Sequence, residues 1–180
     1  MPVTVPGTPA AWADLSKEFG KLPFQDVLQP AIDYAREGFP VSPTLSRFWK
    51  KGFNTYKNNL TDDMFSEWCQ TFAPNGNTPN PGDIWTSEGH PRTLEKIAAS
   101  HAESFYRGEL AEKMVSFSEQ NGGFLSAEDL ASHQSEWVEP INVNYRGYDV
   151  WEIPPNGQGL VALQALNILK EFDFHDKETV

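Results

Sequence analysis

Residues Tyr145 to Asp173 read YRGYDVWEIPPNGQGLVALQALNILKEFD, and no other stretch constrains the fold as much. Arg146-Gly147 separates two β-favouring runs, Val143 to Tyr145 and Tyr148 to Ile153, which predicts a hairpin. In the second run Val150 and Glu152 alternate with Asp149, Trp151 and Ile153, so the two faces are only partly sorted. Pro154-Pro155 ends the strand, because neither proline has an N–H for a ladder. Asn156, Gly157 and Gly159 give the corner backbone freedom that other side chains would resist. From Leu160 a helix is expected: Leu163, Leu166, Ile168 and Leu169, with Val161 and Ala165, form a broad apolar stripe.

A glycine-bearing corner that opens a helix can present backbone N–H groups to an anion. The plainer reading of Pro155 to Gly159 is a tight strand-to-helix turn. No phosphate-loop lysine follows, and GxG without a third glycine is a weak signal, so no nucleotide site is read here.

The chain has 180 residues, enough for one domain with a core, and 12 Phe, 6 Trp and 5 Tyr favour a folded chain over a disordered one. One domain over residues 1–180 is the expectation. A net charge of −11 argues against nucleic acid or an anionic membrane surface as partner, since both require a positive field. The single cysteine, Cys69, excludes an internal disulfide and a multi-cysteine metal site but does not fix the compartment. No apolar run has transmembrane length, and Met1-Pro2-Val3 does not start a signal peptide. The opening MPVTVPGTPAAW resembles the interior of a domain, so a partial chain is expected.

Val3 to Val5 reads as a short strand. Thr8-Pro9 then reads as N-cap and first helical residue of a helix to about Phe19 that buries Trp12, Leu15 and Phe19. A second helix reaches about Arg36 with Leu28, Ile32 and Ala35 on its buried face; Pro30 within it predicts a kink or two abutting helices. Ser42-Pro43 caps a helix over Thr44 to Lys51 with Gly52 as its stop, and Asn54 to Asn59 reads as loop. Thr61-Asp62-Asp63 caps a helix through Phe72. Asn59-Leu60-Thr61 matches a glycosylation acceptor, a pattern that chance also produces. Ala73 to Gly82 is a loop, and Ile84-Trp85-Thr86 a brief strand. His90-Pro91-Arg92 opens a helical region broken only at Gly108; Glu109 to Gln120 is the next helix, and Ser126 caps a short one to about Ser132.

The residues place no assembled chemistry. His90, His101, His133 and His175 lie far apart with no HxxxH or HxH pair, and no GxSxG is present. Cys69 has no activating motif. Six tryptophans among many acids raise carbohydrate binding as one alternative, although Trp12, Trp49 and Trp68 fall on predicted helices with other apolar residues. A free-standing acidic interaction module is the other.

An ordered set of strings carries more weight. Val5-Pro-Gly-Thr8, Gly20-Lys-Leu-Pro-Phe-Gln-Asp-Val-Leu-Gln-Pro-Ala-Ile32, Glu37-Gly-Phe-Pro-Val41, Leu94-Glu-Lys-Ile-Ala98, Phe105-Tyr-Arg-Gly108, Gly122-Gly-Phe-Leu-Ser-Ala-Glu-Asp-Leu130, Glu139-Pro140, Tyr145-Arg-Gly-Tyr148, and Pro154-Pro155 through Gly159 to Leu166-Asn-Ile-Leu169 follow one another. In order and spacing the set resembles the middle of the large subunit of the gamma-glutamyltransferase (gamma-glutamyltranspeptidase) family. Asn156-Gly157-Gln158-Gly159 departs from that family's serine-rich corner and looks like its divergent, gamma-glutamyltransferase-like branch.

The resemblance implies an α+β fold, here a mostly helical fragment with a small β-hairpin, part of an N-terminal-nucleophile hydrolase (αββα). It also implies a parent that cuts itself to expose a threonine, which attacks gamma-glutamyl amides such as glutathione with its own amine as base. The partners implied are the remainder of the large subunit, the small subunit carrying that threonine, and a gamma-glutamyl small molecule. No Thr-Thr pair occurs here, so the nucleophile is expected outside the chain. No catalytic, cofactor-binding or metal residue is carried over, and no cofactor is implied. The segment alone is expected to be inactive and to self-associate through uncovered apolar surface.

Overall fold

The computed structural model describes residues 4–60 and 62–174. The chain divides into two compact units, with the boundary between Ser135 and Glu136. In the first unit, α1 (Thr8–Phe19), α2 (Phe24–Glu37), β1 (Phe39–Pro40), α3 (Pro43–Asn59) and α4 (Asp62–Phe72) are followed by β2 (Ile84–Trp85), α5 (Gly89–Ser100), α6 (Glu103–Arg107), α7 (Glu109–Gln120) and α8 (Ala127–Ser132). The second unit holds β3 (Ile141–Tyr145), β4 (Tyr148–Glu152) and α9 (Gly159–Leu169). The fold class is mostly helical α+β with two small antiparallel sheets, β1-β2 and β3-β4.

The core of the first unit begins on α2. Phe24, Leu28, Ile32 and Ala35 recur at helical spacing, and the first three join Ile97 and Ala98 of α5, Tyr106 of α6, Ala111 of α7 and Leu130 of α8 in one buried cluster. Pro30 lies within a single α2, so the chain does not adopt two abutting helices. A second packing centre is aromatic. Trp49 and Phe53 of α3 meet Phe72, Trp68 and Phe65 of α4, and Trp49 also meets Trp85 of β2, with ring centroids 5.3 to 6.0 Å apart.

That aromatic packing accounts for a correction. Gly52 does not stop the helix, and Asn54 to Asn59 is not loop: α3 continues to Asn59. A mid-helix glycine costs about 1 kcal/mol relative to alanine. Trp49, Phe53 and Tyr56, spaced by four and three, recover that by packing on Phe65, Trp68 and Phe72.

Other expectations change at the start of the chain. Thr8 is already helical, with Gly7 at the N-cap and no side-chain capping bond. Trp12, Leu15 and Phe19 are 40%, 50% and 67% exposed; Pro9 and Ala13 are the buried positions of α1. Thr4 and Val5 form no strand, and Val3 and the Thr61 cap lie outside the described residues. The helical region before Gly108 is interrupted earlier than expected, at His101 and Ala102, both left-handed with φ of 49° and 68°. Ala102 is buried and donates to the Ile97 carbonyl at 2.9 Å, while His101 stacks on Phe24. Those contacts hold a conformation that non-glycine residues ordinarily avoid.

Ser126 caps α8 as expected, in a reciprocal arrangement with Asp129. Hydrogen bonds from Ser126 lower the Asp129 carboxyl below its ordinary value of 3.8. A depressed folded-state value stabilises above the unfolded value and is lost as pH falls through the folded one. Below about pH 4, α8 amides should therefore lose hydrogen-exchange protection before those of α2 and α5. Ser126→Ala should shrink that pH dependence, since the hydroxyl bond is lost while the backbone N–H of residue 126 still donates to Asp129. A single simultaneous loss across all three helices would contradict it.

In the second unit the hairpin spans Ile141–Tyr145 and Tyr148–Glu152, paired from Ile141 with Glu152 to Tyr145 with Tyr148. Arg146 and Gly147 take φ of 53° and 88°, the two positive values a tight hairpin turn requires. Val143 and Leu163 are buried where α9 packs against the strands. Leu160, Val161, Ile168 and Leu169 remain exposed, so α9 is apolar well beyond its buried side.

Candidate functional site

At the corner between β4 and α9 the sequence allowed an anion nest beside the plainer reading of a tight turn. The corner's glycines take no left-handed φ; among the described glycines, positive values fall at Gly38, Gly76, Gly82, Gly122 and Gly147. Gly159 is there for close approach: a Cβ would stand 2.8 Å from both Cβ and Oε2 of Glu152. The side chain nearest the start of α9 is thus a carboxylate, which repels an incoming anion. The tight-turn reading fits this geometry; the anion nest does not.

The histidines are less scattered than their sequence separation implied. His101 and His133 line one cleft of about 290 Å³ together with Asp14, Glu103, Tyr106 and Arg107. Tyr106 anchors its floor: the hydroxyl donates to the Pro6 carbonyl at 2.7 Å and accepts from the Ala10 N–H at 3.1 Å. Burial, and to a lesser degree the Asp14 carboxylate, pushes this phenol above its ordinary value, so it stays protonated. His133 stacks on the Tyr106 ring at 5.1 Å, and Arg107 is held by both Glu103 oxygens at 3.1 Å. These contacts tie the start of the chain to α6 and the residues after α8. Nothing in the sequence spacing signals this convergence, because it depends on the break at His101 and Ala102.

A second cleft, of about 680 Å³, holds a pair that the sequence reading passed over. Ser87 Oγ lies 2.6 Å from His90 Nδ1 and also accepts from the His90 N–H at 3.3 Å. A hydroxyl beside an imidazole is the first element of an activated nucleophile. The His90 ring, however, packs edge-on against Phe72 and Trp85, and no described carboxylate hydrogen-bonds to it. The pair therefore acts as a cap at the start of α5; the Ser-Glu-Gly-His spacing was its available sign.

Cys69 is a half-buried free thiol on α4. Among the described residues no three His, Cys, Asp or Glu side chains are placed to hold a metal ion. Trp49, Trp68 and Trp85 are occupied with one another's neighbours in the aromatic centre, whereas Trp12, Trp137 and Trp151 are exposed. Glu109, between Lys113 and Lys96, is lowered to about 2 by their hydrogen bonds and stays charged at the surface.

What these features define, among the described residues, is a mostly helical α+β arrangement with capped, interlocked polar groups. Its architecture matches solved structures closely. It superposes on a cephalosporin acylase from Bacillus halodurans with a TM-score of 0.91 at 57% identity, covering 99% of this chain and 33% of that one. On gamma-glutamyltranspeptidase from Helicobacter pylori the TM-score is 0.81 at 27% identity, covering 94% of this chain and 48% of the other. The family model for gamma-glutamyltranspeptidase matches residues 1–180, and the chain belongs to that family.

Among curated relatives, the glutathione hydrolase-like YwrD proenzyme of Bacillus subtilis is 38% identical over 173 residues, 96% of this chain and 32% of its own length. The glutathione hydrolase proenzyme of Escherichia coli is 33% identical over 169 residues, 93% of this chain and 28% of its own length. The chain thus spans about a third of the curated relatives it matches.

Proposed function

We propose that residues 1–180 are one partial large-subunit segment of an amide-cleaving acyl-transfer enzyme that acts on gamma-glutamyl amides such as glutathione. The carrying observation is a match that runs the whole length of this chain yet covers only 32% of a glutathione hydrolase-like proenzyme. The exposed apolar side chains of Leu160, Val161, Ile168 and Leu169 on α9 support the same reading, since a helix apolar on several sides belongs in an interior. In this reading the remainder of the large subunit and the small subunit cover them, and the segment alone self-associates.

The chemistry belongs to a threonine at the start of the small subunit, outside these residues. Its hydroxyl attacks the amide carbonyl, its own amine takes the proton, and the leaving amine departs with that proton. Water then hydrolyses the acyl ester, or an acceptor amine takes the acyl group. The 57% identity to a cephalosporin acylase favours a second substrate class for the same step, the acyl amide of a cephalosporin.

Mass spectrometry of the natural gene product tests the reading. We expect a polypeptide about three times this length, recovered as two pieces, the smaller beginning with threonine. A product that stays in one piece would remove the threonine mechanism.

A further inference from the structure

The chain contains three Asn-Gly pairs, Asn75-Gly76, Asn121-Gly122 and Asn156-Gly157. Asparagine is thermally labile, and a glycine on its C-terminal side leaves the backbone nitrogen without a shielding Cβ. The fold treats the three pairs differently. The Gly76 N–H is committed to the Ala73 carbonyl at 2.8 Å. The Gly122 N–H donates to Glu119 at 3.2 Å, and the Asn121 side-chain amide is held by the Phe117 carbonyl at 2.8 Å. Both glycines are also fixed at positive φ, 70° and 66°. Within residues 1–180 all three asparagines are exposed, and Asn156 sits in the turn from Pro154 to Gly157; what sets it apart is that Gly157 is not fixed at positive φ and that the Asn156 side-chain amide makes no hydrogen bond among the described residues.

We propose that Asn156 is a spontaneous modification site, converting to aspartate and isoaspartate ahead of Asn75 and Asn121. The Gly157 nitrogen, losing its proton to hydroxide, attacks the Asn156 side-chain carbonyl carbon. The new C–N bond closes a succinimide as the amide C–N bond breaks, and ammonia leaves with a proton from water. Water then opens the ring at either carbonyl, with no change of oxidation state. The isoaspartate product lengthens the main chain by one carbon between β4 and α9. Gly159 already approaches Glu152 too closely there to admit a Cβ, so the corner has to shift.

The test is peptide mapping by mass spectrometry, with isoaspartate detected by enzymatic methylation. The full natural polypeptide is aged in mildly alkaline buffer, folded and in urea. Folded material should convert Asn156 several-fold faster than the other two sites, and urea should bring the three rates together. Gly157→Ala, whose Cβ meets no atom within 4 Å, should slow only the Asn156 reaction. Earlier conversion of Asn75 or Asn121 in the folded protein, or the same ranking in urea, overturns the proposal.

Discussion

Replacing Leu130 with alanine is expected to lower the stability of the first unit by about 2–5 kcal/mol, read as a shift of the urea midpoint of the full chain. Leu130 is 0% exposed and belongs to the cluster built on α2, α5, α6 and α7. It sits on a helix of 6 residues, too short to hold itself together without packing. Truncation removes apolar contact and leaves a cavity that walls drawn from several elements cannot all collapse into. A midpoint within experimental error of the parent would mean that α8 is not part of this core.

The second large effect is expected at Gly38, between α2 and β1. Its φ of 98° and ψ of 160° lie in a region open essentially to glycine alone, at a cost of order 1–3 kcal/mol for any other residue. An alanine Cβ there would also stand 2.5 Å from Ile84 Cγ2 and 2.8 Å from Thr86 Cγ2, so the β2 segment has to move. Together these predict a loss of roughly 2–5 kcal/mol for Gly38→Ala in denaturant unfolding. Gly52→Ala is the internal contrast. It lies inside α3 with no atom within 4 Å of its Cβ, and alanine there should stabilise by up to about 1 kcal/mol. Equal destabilisation at both positions would contradict the assignment of strain to Gly38.

These glycines also mark how far the sequence could be read. Local signals identified α7, the Ser126 cap and the hairpin turn at Gly147, because each is settled by neighbouring residues. Gly52 looked like another stop, but partners on α4 keep the helix intact, and no local pattern records them. The helix break at His101 was hidden for the same reason: it rests on Phe24, 77 positions away in sequence, and on the burial of Ala102. Trp12, Leu15 and Phe19 were correctly spaced for an apolar stripe, yet most of that face finds no cover in this chain.

The candidate site divides along the same line. The corner before α9 was visible as prolines and glycines, but its carboxylate neighbour depends on how Glu152 meets Gly159. The convergence of His101, His133 and Tyr106 required the tertiary fold. Family membership was legible earlier than any of these, because ordered strings survive where single contacts cannot be inferred.

In the proposed reading, the chemistry of the intact enzyme is supplied from outside these 180 residues. The most direct measurement is release of anilide from a gamma-glutamyl anilide, comparing the full natural polypeptide with purified residues 1–180 at equal concentration. The first is expected to turn over the anilide, and the second to release none above the buffer blank. Turnover by residues 1–180 alone would contradict this reading.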